Sequence, residues 1–153
     1  MRPRLVPASA HVAIVLAFVL SACAPLDPET LRTDPGRSST FQTAVDYRTV
    51  YSNVSRAFLK CMTGFSFQMR FVIQPRIDPA SRTASITYVH HGAWTDIWAV
   101  IDITAKDVGA SVRVNTTSHP LISDLPTHVE RWAGGNDECA GSTPVTNQLP
   151  LQE

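Results

Sequence analysis

His90 and His91, followed by Trp94 and Asp96, place imidazole, indole and carboxylate groups within seven residues of one another. Two imidazoles and a carboxylate are ligand types for a transition metal. The spacing argues against a shared ion, because adjacent residues on a strand point to opposite faces and the two histidines converge only if the chain bends between them. The stretch reads first as a polar strand end, and alternatively as a surface recognition loop of His90, His91, Trp94 and Asp96. His119, before Pro120, and His128, near Glu130, are isolated and read as solvated or capping side chains. No serine or cysteine sits in a sharp strand-to-helix turn with histidine and carboxylate support. Glycine-rich phosphate loops, paired zinc-ligand motifs and dinucleotide fingerprints are missing from the sequence as well. The expectation is a protein that is not an enzyme and carries no cofactor or resident metal.

Cysteine chemistry is more specific. Arg2 and Arg4 precede a nine-residue apolar run, Val12 to Leu20, and then Ser21, Ala22 and Cys23. A membrane-spanning helix needs about 20 apolar residues, so this order of basic, apolar and small residues predicts a signal peptide over residues 1–22. Leu20-Ser21-Ala22-Cys23 resembles the lipobox of bacterial lipoproteins. The resemblance implies diacylglycerol on the Cys23 sulfur, cleavage just before it and acylation of the new amino group. Two or three chains hold a protein on a bilayer where one holds it only marginally, at about 0.8 kcal/mol per buried CH₂. Ala24 rather than aspartate after the cysteine favours the outer membrane in the enterobacterial version of that family.

With Cys23 committed to lipid, Cys61 and Cys139 are the remaining thiols, and export to an oxidising compartment predicts a disulfide between them. Removal of residues 1–22 takes away two of 13 basic residues and none of 13 acidic ones, leaving a side-chain balance of −2. That balance supplies no positive field for nucleic acid or for an anionic membrane surface as main partner.

The elements that must position these groups follow from periodicity. Residues 23–42 carry prolines, charges and a Ser-Ser-Thr cluster with little apolar pattern, and read as a flexible tether. About 18 such residues would hold a domain on the order of 20–25 Å from the membrane. Residues 43–140 form the domain, and 141–153 a polar, flexible tail. Tyr47, Val50, Tyr51, Val54, Ala57, Phe58 and Cys61 recur at helical spacing, with Thr43 and Asp46 as a capping start and Gly64 as the stop. Period-two alternation then takes over in four successive segments separated by short turns, which predicts an antiparallel meander. Ile97, Ala99, Ile101 and Ile103 are expected on the buried face of the third strand. Trp98 and Val100 fall on the other face near Val72, either as an exposed contact surface or beneath the tail or tether. Leu125, Val129 and Trp132 predict a last helix, with Ser123 or Asp124 at its start and Gly134-Gly135 at its end.

The expected fold is α+β, a two-layer sandwich of N-terminal helix, four-stranded meander and C-terminal helix, with Val54, Phe58, Phe71, Ile86, Ile101 and Val112 in the core. "FLKCM", the alternating strands and "RWAGGNDEC" resemble a family of small, uncharacterised proteobacterial outer-membrane lipoproteins. That resemblance implies a location and no activity. The functional expectation is a periplasm-facing, lipid-anchored domain that binds another cell-envelope protein. The alternative is a small-ligand or metal-binding module built on the His90–Asp96 loop.

Overall fold

The computed structural model describes residues 27–66 and 69–139. Along the chain come α1 (Pro28–Thr33), β1 (Arg37–Thr43), α2 (Tyr47–Cys61), β2 (Gly64–Ser66), β3 (Met69–Asp78), β4 (Thr83–His91), β5 (Thr95–Ala105), β6 (Ala110–Thr116), a 3₁₀ turn (Pro120–Ile122) and α3 (Leu125–Ala133). The strands make one sheet in the order β1-β6-β5-β4-β3-β2, antiparallel throughout. The class is α+β, and β3 to β6 are the expected meander.

Two parts of the expected fold are corrected. The sheet has six strands rather than four, because β1 joins β6 and the three-residue β2 joins β3. It is also more than a two-layer sandwich, since α1 lies on the face opposite α2 and α3. α1 and all of β1 but its last residue come from residues read as tether, whereas β2 lies within the expected domain. Pro28 stands in the first turn of α1, where its missing N–H costs nothing, and Asp27 caps the helix by accepting from the Thr30 N–H at 2.7 Å. β1 is polar because it is an edge strand, so its alternation is too faint to see in "RSSTFQT". The signal peptide, Cys23 and the 141–153 tail lie outside the described residues.

The helix face of the sheet holds the main core. α2 contributes Val50, Val54, Ala57 and Phe58, α3 contributes Leu125, Val129 and Trp132, and the strands supply Ile86, Ile101, Ile103, Val112 and Val114. Five of the six expected core residues are fully buried, and Phe71 is half-buried against them. Asp46 caps α2 through the Arg48 N–H, at 2.9 Å, while Thr43 instead ends β1 and accepts from the Val45 N–H. On the opposite face Leu31 of α1 is buried, and Arg32 grips Asp102 of β5 with Nε and Nη2 at 3.0 and 2.9 Å. Gly109 makes the β5–β6 turn with φ +75°, and a Cβ there would run into the Thr43 carbonyl, so glycine is required on two counts.

Candidate functional site

One end of the domain gathers the C-terminus of α2, the β4–β5 hairpin, the exit of β6 and the start of α3. The hairpin is irregular there. Tyr88 pairs with Ala99 but Val89 pairs with Ile97, so Trp98 is an extra residue in β5. A bulge of this kind re-aims side chains. It puts the Trp98 ring on the helix face, 5.1 Å from His90, 5.2 Å from Phe71 and 6.3 Å from Tyr88 by ring centroids. The expected pairing of Ile97 with Ala99 on the inner face fails at this point. The exposed patch of Trp98, Val100 and Val72 fails too: Val100 is fully buried, on the face that α1 packs against.

The loop residues separate. His90 turns inward, its side chain 12 % exposed, between Phe71 and Trp98. Its ring lies over Gly92, where an added Cβ would come within 2.9 Å. The Asp96 carboxylate, opposite it across the β4–β5 pair, stands 3.6 Å from Nδ1, and neither ring nitrogen has a hydrogen-bond partner among the described residues. His91 points to the other face and meets the Thr95 hydroxyl at 3.0 Å. Trp94 projects from the hairpin, 75 % exposed. The sequence therefore correctly parts the two histidines, and the fold joins only His90 and Asp96. Among the described residues no group of three or more histidine, cysteine or acidic side chains is placed to hold a metal ion.

Phe71, Tyr88, Trp98 and His119 were not singled out as neighbours of this loop. Strand parity could have placed Phe71, Tyr88 and His90 on one face; Trp98 depends on the bulge. His119 stacks on Trp98 at 4.3 Å while its Nδ1 accepts from the Leu121 N–H, capping the 3₁₀ turn.

That turn leads into a cavity of about 380 Å³. Met62, Ile122, Leu125 and Trp132 form its apolar walls, the Cys61–Cys139 disulfide closes one side, and Leu121, 74 % exposed, stands at the rim. Polar groups are few: Ser123, Asp124 and His128. This size and lining suit a small ligand or an apolar side chain of a partner. Met62 is held in place by Tyr88, which donates its hydroxyl to the Met62 carbonyl at 2.9 Å, and burial pushes the Tyr88 pKa up to about 12.

Burial pushes the His128 pKa down, and the neighbouring Arg131 adds to this while Asp124 opposes it. The Arg131 Nη2 lies 3.4 Å from Nδ1, an arrangement in which the neutral ring accepts. Protonation of His128 thus favours the unfolded chain. Its penalty is absent above the unfolded pKa of about 6.5 and grows as pH falls below it. His128→Gln is expected to flatten the fall in stability between about pH 6.5 and 5, measured by urea denaturation at several pH values. An unchanged slope would show that His128 does not set it.

On the other face a second cavity, of about 400 Å³, is lined by Arg32 and Arg76 against Asp78 and Asp102. Its formal charges cancel. No helix among the described residues is long and apolar enough to cross a membrane. Compared with protein families, with curated proteins and with solved structures, the chain shows no significant match.

Proposed function

We propose that this chain is a non-enzymatic lipoprotein of the outer membrane, acylated at Cys23 and facing the periplasm, whose domain binds another envelope protein at the cavity end of its helix layer. The observation that carries the reading is the basic, apolar and small-residue order ending at Leu20-Ser21-Ala22-Cys23. The Cys61–Cys139 disulfide agrees with an exported protein. Exposed Leu121 at the rim of an apolar cavity supplies the anchor-and-pocket chemistry of a protein contact.

Cys23→Ser is expected to abolish labelling by a radioactive fatty acid and to leave an unprocessed precursor. Label that persists in the variant would overturn the assignment. For the binding reading, crosslinking in intact envelopes is expected to capture one partner with the native chain and to lose it with Leu121→Asp. Equal capture would place the contact elsewhere.

A small-ligand reading draws on one separate observation, the His90 ring between Phe71 and Trp98, whose buried nitrogens make no hydrogen bond among the described residues. Thermal-shift screening of the native chain against His90→Ala tests it. A ligand that stabilises only the native chain would support this reading, and a full screen without such a ligand would remove it.

A further inference from the structure

We infer that the sheet face carrying α1 lies directly against the headgroups of the anchoring bilayer, so that the domain sits on the membrane and presents its helix layer outward. The inference rests on acylation at Cys23.

Chain length is the first argument. α1 begins at Pro28 and its capping residue is Asp27, so only Ala24, Pro25 and Leu26 separate the cap from Cys23. At no more than 3.3–3.6 Å per residue, the reach from Cys23 to Asp27 is about 14 Å. α1 is pinned to the sheet by buried Leu31 and by the two-point grip of Arg32 on Asp102. Anchor and sheet face cannot drift apart as they would on a tether of 18 residues.

Position supplies the second argument. α1 packs against β5 and β6, away from α2 and α3. To bring the helix layer to the bilayer, the chain would have to pass β1 at the sheet edge and then cross the sheet and a helix, each about 10 Å thick. About 14 Å does not cover that path.

Charge is compatible with a zwitterionic surface. The face carries Arg70, Arg76 and Arg113 beyond the Arg32–Asp102 pair, and acidic Asp27, Glu29, Asp34 and Asp78 lie among them. Such a mixture gains little from a strongly anionic surface. It can sit on headgroups that carry both a phosphate and an ammonium group. The cavity and Leu121 then face away from the lipid, toward the periplasmic space.

The test uses the full acylated chain in vesicles of phosphatidylethanolamine and phosphatidylcholine containing nitroxide-headgroup lipid. A fluorophore is placed at Arg113→Cys on the α1 face or at Glu130→Cys on the outer side of α3. Quenching is expected to be several-fold stronger at position 113. Insertion of about 20 Gly/Ser residues between Leu26 and Asp27, which restores a reach on the order of 25 Å, should bring the two positions to equality. Equal quenching without the insertion, or stronger quenching at 130, would overturn the orientation while leaving Cys23 acylation intact. A difference that survives the insertion would overturn the short connection as its cause. Intact mass without acyl groups would overturn the lipoprotein reading and the inference together.

Discussion

Phe58→Ala is expected to lower the unfolding free energy by about 3–5 kcal/mol, the range for truncating a fully buried phenylalanine. Phe58 has no exposed surface, and its ring centroid lies 5.4 Å from Tyr88 and 5.3 Å from Trp132. It therefore joins α2 to the sheet on one side and to α3 on the other. The loss combines transfer of the ring, the cavity left behind and two aromatic contacts worth about 0.5–1.5 kcal/mol each beyond area burial. Against a total stability of about 5–15 kcal/mol, this is enough to threaten folding. Leu59→Ala is the control, since Leu59 is the adjacent residue and 60 % exposed, and its expected effect is within about 0.5 kcal/mol. Urea denaturation of both variants decides the matter. A Phe58→Ala cost below about 1 kcal/mol would mean that the ring does not hold the three elements together.

Loss of the Cys61–Cys139 bond is expected to cost about 2–4.5 kcal/mol. The two Cα atoms are 5.4 Å apart and the cysteines are 78 positions apart in sequence, for which loop-closure entropy gives roughly 4.5 kcal/mol at 25 °C as an upper figure. Other contacts at the same place are too weak to substitute. The Lys60–Asp137 pair, at 3.3 Å, is half-exposed, and exposed pairs contribute about 0–1 kcal/mol. The Arg131 and Trp132 donors reach the Glu138 carbonyl at 3.1 and 3.4 Å. They hold the segment locally without closing the long loop. Comparing Cys61→Ser/Cys139→Ser with the native chain in urea measures the effect, and the lower bound allows for residual structure in the reduced unfolded state. A difference below about 1 kcal/mol would show that these local contacts suffice. Because the disulfide also walls the cavity, the double variant is expected to weaken partner capture in envelope crosslinking as well.

Under the proposed acylation of Cys23, the cavity would face outward and α1 toward the bilayer, dividing the labour between the two sides of the sheet. The buried Leu31 and the Arg32–Asp102 pair make the N-terminal segment part of the domain rather than a leash. A domain held at a bilayer meets partners confined to the same envelope at raised effective concentration, which lets a modest contact area suffice.

Periodicity made much of this legible from sequence. The face of α2, the four strands of the meander, α3 and five of six chosen core residues could be read directly, because helical and strand spacing are local properties of the chain. The disulfide was also legible, from the cysteine count and the expectation of export. β1 and α1 were not. β1 is polar along an edge, and α1 is a single short turn-and-a-half whose stability comes from Leu31 and Arg32 meeting residues some 70 positions away. The bulge at Trp98 depends on the register between β4 and β5, and a shift of one residue reverses every side chain beyond it. Hence the sequence by itself determined the elements with clear periodicity, α2, β3 to β6 and α3, and which thiols pair. Tertiary structure decided that His90 is enclosed by rings, that Val100 is covered and that the supposed tether belongs to the fold, because each depends on contacts between segments with no common local pattern.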